Sequence, residues 1–460
     1  MSSSEATEPR SRPADDPAEA ADGIGARCEE DAEDGETGTA GARGRAAGSM
    51  GGEAAGGPGR EPAPQAAGPR RGLVAYLLNP RPDAWAKVLI APACFVLAAV
   101  STGDFGGWKR LLVLWLVLEL LIYQARYQWN DIRGIDEDRR HPEMRARSRL
   151  PVGTTVRARR RSVRVSRAAG ATRVLAALLI GAIAGLILQV VLLAGAVLVG
   201  AAGYEFLRGL PAARTPGPAR VQPVAIWLVV GLGYLVRGAL GLSTAGLAWG
   251  SPAIVAGLAC VTSFGIMFVL LAWALEAVSY CEADASGGWH ARPELAAKAH
   301  LAALLRYLRA PITACGPLPG EGRNCGGDRV LLRGGRLSAP WNLALLAAVV
   351  SGAAEGVALA RPRADAAGAY LAAAFVAGGG AVVLARRRSG RDRWVVTVAW
   401  ALALAATVLP AEPALPVLAA APWLVIAGLY SAFHGWSYRD LLAASPRLAA
   451  AGRKAPGPRA

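Results

Sequence analysis

Apolar residues in this chain are gathered into blocks long enough to cross a bilayer, and that property restricts the fold more than any other. A hydrocarbon core takes roughly 20 apolar residues in helical form. Runs of about that length fall near 84–102, 108–126, 171–187, 189–206, 223–242, 253–275, 339–357, 367–386, 394–410 and 415–433. Inside lipid the backbone polar groups find no water, so such segments must satisfy their own hydrogen bonds as helices. The fold class read from the pattern is all-α: a polytopic membrane helical bundle of about nine to ten transmembrane helices.

The formal net charge of +16 would suit nucleic acid if it sat on a soluble domain, but the arginines fall between the spans. Segments 126–170, 205–221, 276–338 and 386–393 are arginine-rich, whereas 187–189, 243–252 and 411–415 carry almost no positive charge. The positive-inside rule makes the rich set cytoplasmic. The expectation is a multi-pass protein of the cell membrane, its partner the lipid bilayer and not nucleic acid, with the 126–170 and 276–338 loops on the cytoplasmic face. The 358–366 connection departs from this alternation, carrying Arg361 and Arg363.

Residues 1–70 are rich in Ala, Gly, Pro and acidic residues and poor in aromatics, a composition that cannot bury enough apolar surface to fold. They read as a disordered cytoplasmic tail, and their acidic start is unlike a signal peptide. The transmembrane domain is expected over 71–435, with a C-terminal cytoplasmic tail over 436–460. The six cysteines lack C-x-x-C spacing and form no disulfide framework.

Charge gathers at the mouth of the second span, in Trp129-Asn130-Asp131-Ile132-Arg133-Gly134-Ile135-Asp136-Glu137-Asp138-Arg139-Arg140-His141-Pro142. Carboxylates beside hydrocarbon are costly and need a compensating cation, either metal or arginine. If the helix continues past Tyr127, then Asn130, Gly134 and Asp138 share a face with Asp131 beside them. Asp131 and Asp138 would reach one magnesium ion, and Asn130 would hold substrate or water. Arg145, Arg147 and Arg149 follow at alternate positions. Their guanidinium forks suit phosphate oxygens, and anchorage to lipid headgroups is the other reading.

A second, weaker acidic site ends the sixth span: Leu275-Glu276-Ala277-Val278-Ser279-Tyr280-Cys281-Glu282-Ala283-Asp284. Glu276, Tyr280 and Asp284 are four apart and line one helical face. Two such sites on one side of the membrane suggest a central cavity lined by two halves. Residues 298–308 read as an amphipathic helix on the membrane surface.

Asn-Asp with spaced aspartates, then Asp-Arg-x-His-Pro and a basic stretch ending in Pro-x-Gly, resembles the first motif of the UbiA superfamily of intramembrane prenyltransferases. Tyr204 to Arg208 is similar to that family's Tyr-x-x-x-Lys/Arg element, and Gly233-Tyr234-Leu235-Val236-Arg237 to its Gly-Tyr-x-x-Arg. The family's first motif reads N-D-x-x-D-x-x-x-D, and here Gly134 stands at the middle aspartate. Its second motif, D-x-x-D-x-x-x-D, falls on Ala277, Tyr280 and Asp284.

The resemblance implies an all-helical bundle of about nine spans around a cavity, and magnesium-assisted ionisation of an isoprenyl diphosphate with transfer of the isoprenyl group to an acceptor. Asn130, Asp131, Asp138 and Asp284 would be its catalytic set, with Asp131, Asp138 and Asp284 as magnesium ligands. Arg145, Arg147, Tyr204, Arg208, Tyr234, Arg237, Glu276, Tyr280 and Lys298 would bind substrate. A helix-locking salt bridge is the other reading of Arg237. A UbiA-type terpene cyclase, a polyprenyl-phosphate phosphoribosyl transferase and a non-catalytic isoprenoid-binding protein remain open beside the transferase.

Overall fold

The computed structural model describes residues 72–81, 85–141, 150–152, 155–210, 221–283, 289–296, 298–308, 312–314, 335–360, 364–385, 422 and 425–430. The two tails expected at 1–70 and 436–460, and the expected span 394–410, lie outside the described residues, as does most of 415–433.

Among the described residues, five helices are long and apolar enough to cross a membrane: Val156–Ile183, Ile187–Gly209, Pro223–Thr244, Pro252–Val278 and Pro340–Ala360. They support a helical membrane bundle, while the expected number of nine to ten rests partly on residues that are not described. In chain order the helices are α1 (Leu73–Leu78), α2 (Trp85–Val88), α3 (Ile90–Thr102), α4 (Trp108–Leu116), α5 (Tyr123–Arg133), α6 (Ile135–Arg140), α7 (Val156–Ile183), α8 (Ile187–Gly209), α9 (Val221–Val229), α10 (Leu232–Thr244), α11 (Pro252–Val278), α12 (Ala299–Leu305), α13 (Pro340–Ala360) and α14 (Ala364–Ala385).

Local chemistry sets several of these boundaries. The Thr155 hydroxyl accepts from the Ala158 amide to open α7, and the Ser251 hydroxyl accepts from the Ile254 amide to open α11, with Pro252 in its first turn. Between α7 and α8 the chain reverses on Gly185, at φ +67°. The Gly185 amide donates to Ala182 and the Leu186 amide to Gly181, so the last carbonyls of α7 are satisfied by a left-handed turn that glycine adopts without a Cβ clash.

The expected second span runs as one helical rod from Trp108 to Arg133, widened to a π-helix over Val117–Ile122. There the Tyr123 amide reaches back to the Leu118 carbonyl, and the Gln124 side-chain amide donates to the Glu119 carbonyl at 3.2 Å.

Helix α11 is the spine. Its Cys260, Met267, Leu271 and Ala274 belong to a core formed with α13 and α14, and its Ile254 and Val261 belong to a second core formed with α3, α4 and α10. Leucines and valines of α7 and α8 face outward, among them Leu175, Leu179, Leu192 and Val199. An exposed apolar face of this extent fits lipid and not water.

Beside the helices, strands Cys281–Ala283 (β1), Trp289–Ala291 (β2) and Ile312–Ala314 (β3) form a small sheet, β1 antiparallel to β2 and β2 parallel to β3. The segment read as a surface amphipathic helix is α12, whose His300, Leu301 and Leu304 are buried against the bundle.

Candidate site at the two acidic helix ends

Hydrogen bonding passes through Gly134 with little break. The Gly134 amide donates to Asn130 and the Asp138 amide to Gly134, at 2.9 and 2.8 Å, so α5 leads almost directly into α6. Asp131 turns inward and is 2% exposed, whereas Asn130 faces outward and Asp138 is half-buried.

Arg81 donates to one Asp131 oxygen at 2.6 Å and the Tyr76 hydroxyl to the other at 3.2 Å. The guanidinium of Arg81 also sits 5.0 Å from the Tyr127 ring centroid. Burial first, and then the Asp131 charge, push the Tyr76 phenol up, so it stays a proton donor to the carboxylate.

Asp136 and Glu137 of the acidic stretch are also clamped by cations. Both oxygens of Asp136 accept from Arg159 at 2.9 Å, Glu137 pairs with Arg208, and Arg133 reaches Glu205 at 3.1 Å. These pairs tie α5 and α6 to α7 and α8.

At the end of α11 the Lys298 ammonium donates to Glu276 at 3.2 Å and to the Tyr280 hydroxyl at 2.9 Å. His141, at the far end of α6, packs its ring edge-on to Tyr280 with centroids 5.0 Å apart, and its Nε2 lies 3.7 Å from Glu276. The first and second acidic segments therefore meet through His141. Nearby, His300 lies between Trp273 and Tyr204, at 4.9 and 6.4 Å between centroids. Burial first, then the Arg208 charge, hold its imidazole down to about 4.

Two of the expected substrate residues sit deeper in the bundle. Arg237 makes a two-pronged pair with Glu119, Nε to Oε1 at 2.6 Å and Nη2 to Oε2 at 2.8 Å, and lies 3.7 Å over the Tyr123 ring. Tyr234 is laid over Gly265, where a Cβ would come within 2.3 Å of its ring, and its hydroxyl has no hydrogen-bond partner among the described residues. Between α8 and the α9–α10 junction lies a cleft lined by Tyr123, Arg126, Tyr204 and Gly233, of about 20 Å³. That is room for one water and not for an isoprenoid tail.

Of the expected site residues, Asp284, Arg145 and Arg147 lie outside the described residues. Glu276, Tyr280 and Lys298 are brought together, and Tyr204 and Arg208 stand beside them through His300 and Glu137. Asp131 is turned to Arg81 and Tyr76, and Asp138 stands two helical turns further on. Among the described residues no group of three or more His, Cys, Asp or Glu is placed to hold a metal ion.

Arg81, Glu119 and His141 do not stand among the site residues expected from the sequence. A lone glutamate in the apolar run 111–122 was the available signal, since it demands a buried cation. Comparison with family models, with curated proteins and with solved structures gives no match.

Proposed function

We propose that this chain is an integral-membrane prenyltransferase, moving an isoprenyl group from an isoprenyl diphosphate to an acceptor at the face where the two acidic segments meet. The observation that carries the reading is the contact of His141 with Glu276 and Tyr280, which joins segments more than a hundred residues apart into one polar site at the ends of apolar helices. On this reading the face is cytoplasmic and the membrane is the cell membrane.

Cations suited to a diphosphate stand around that site. Arg81, Arg208 and Lys298 are each held by a carboxylate of the same site, Asp131, Glu137 and Glu276. A diphosphate arriving there gives these cations a stronger partner and frees the carboxylates they neutralise. Magnesium belongs to the proposal as the ion accompanying the diphosphate, with Asp131, Asp138 and Asp284 as the carboxylates offered to it. It would supply neutralisation of the leaving group's charge. Tyr204, Trp273 and His300 present ring faces and edges beside the site, which would shield a developing allylic cation from water.

One observation favours a non-catalytic isoprenoid-binding protein instead: Asp131 is already neutralised by Arg81, in a chain with glycine at the middle aspartate position. A single experiment separates the two. Detergent-purified protein is incubated with magnesium and a panel of isoprenyl diphosphates of increasing length, with a phosphoribosyl diphosphate included, and diphosphate release is measured with and without Asp131→Asn. Release that needs both magnesium and Asp131 supports the transferase. Release indifferent to Asp131, or none from any donor, overturns it.

A further inference from the structure

Glu119 and Glu355 both lie within apolar helices of this bundle, and their surroundings differ. Glu119 is held by Arg237. Glu355, on α13, is 2% exposed, and its Oε1 has no hydrogen-bond partner among the described residues. No ion pair reaches it among the described residues. Among the described residues, the titratable groups near enough to feel its charge are two thiols, Cys94 of α3 and Cys260 of α11.

Space for the carboxyl is made by a glycine. A Cβ at Gly257 of α11 would lie 2.6 Å from Oε1 and 3.0 Å from the carboxyl carbon of Glu355, so any larger residue there would displace it. The side chain of Leu242 approaches the same point. The contact is therefore shaped around a carboxyl group with apolar neighbours and, among the described residues, no paired cation.

A negative charge in such a place needs a positive one, and intramembrane carboxylates without it are rare outside ion and proton paths. Thiol sulfurs are poor ligands for sodium or another hard cation, which leaves the smallest cation. We propose that Glu355 is a proton-binding site in the interior of the bundle, a bound proton doing for Glu355 what Arg237 does for Glu119. Glu355 lies five residues from the end of α13 at Ala360. By helical rise this is about 7.5 Å, a short path for proton exchange with that end of the bundle.

The experiment is infrared difference spectroscopy of the full-length protein in detergent at neutral pH, wild type against Glu355→Gln, in potassium and in sodium buffer. A carboxylic acid C=O stretch present in wild type, lost in Glu355→Gln and unchanged by sodium is the expected result. Carboxylate stretches in place of the acid band, or an acid band abolished by sodium, would overturn the proposal.

If Glu355→Gln fails to fold, wild-type protein is treated with a lipid-soluble carbodiimide and its peptides are mapped by mass. The acid's proton passes to a carbodiimide nitrogen while its oxygen adds to the central carbon. The O-acylisourea then rearranges to an N-acylurea, so the whole reagent is added and nothing leaves. An adduct on Glu355 with Glu119 unmodified is expected. Both glutamates modified alike, or Glu355 left untouched, would count against it.

Discussion

If Arg237 serves chiefly to lock α10 to the π-turn of the second span, its loss and the loss of Glu119 should be far from additive. The guanidinium makes two charge-assisted bonds to Glu119, at 2.6 and 2.8 Å, and both side chains are about 2% exposed. Replacing either one with leucine strands a charge in an apolar interior, which costs about 3–5 kcal/mol. Replacing both removes the charges together and leaves apolar side chains in apolar surroundings, a change expected to fall within about 1 kcal/mol of wild type.

The singles would sum to roughly 6–10 kcal/mol, so the coupling should exceed about 5 kcal/mol, against the ~0.5 kcal/mol scatter of independent sites. The assay is reversible unfolding in mixed micelles followed by tryptophan fluorescence, on Glu119→Leu, Arg237→Leu and the double variant. A double variant as unstable as the sum of the singles would refute the lock. So would an Arg237→Leu protein that unfolds like wild type.

Three further predictions follow from the same geometry. A Cβ on Gly241 would sit 2.3 Å from the Ala91 carbonyl oxygen and 2.8 Å from the Cys94 Cβ. Gly241→Ala should therefore push α10 off α3 and cost about 1–3 kcal/mol in the same unfolding assay. At Gly134 the backbone has φ −80°, and a Cβ would stand 3.3 Å from the Asn130 carbonyl oxygen and 4.0 Å from an Asp138 oxygen. Gly134→Asp should change stability by less than about 1 kcal/mol, and under the proposed function lower the magnesium needed for half-maximal diphosphate release about tenfold, some 1.4 kcal/mol.

The imidazole of His300 is held at about 4 in the folded protein, below the roughly 6.5 of the unfolded chain. Between those values the unfolded chain binds the extra proton. The contribution of His300 to stability is thus full above about pH 6.5 and declines toward pH 4, by at most about 3 kcal/mol. His300→Phe should flatten that part of the stability profile, read by thermal unfolding at stepped pH.

What was legible in the sequence was what hydropathy and letters carry. The long apolar helices α8, α11 and α13 fall where the blocks placed them, because lipid leaves such segments no other conformation. Helix α7 covers most of its block but already begins at Val156, within the segment expected to be a loop. The demand for an acidic partner at Arg237 was readable too. Its identity was not, since Glu119 lies 118 residues away and pairing across that distance leaves no local trace. Arg81 sits in Asn79-Pro80-Arg81-Pro82, which reads as chain punctuation until the fold brings it to Asp131. The strands of the small sheet are three residues each, too short for an alternating pattern to register. His141 was visible as part of a motif, but only the folded chain sets it against Glu276 and Tyr280.

The π-turn over Val117–Ile122 amounts to one surplus residue that the rod from Trp108 to Arg133 has absorbed in place of expelling it as a loop. Each residue of a helix turns the next by about 100°, so this surplus resets the phase between the two ends of the rod. The upper end is aimed by the apolar core of α3 and α10, while the lower end aims Asp131 at Arg81 and Tyr76. Trimming a single residue there would regularise the coil, and would swivel the polar end by roughly a quarter-turn while leaving its apolar half in register. The wide turn is thus a rotational joint through which the charged mouth of the bundle can be re-aimed independently of its lipid-embedded body.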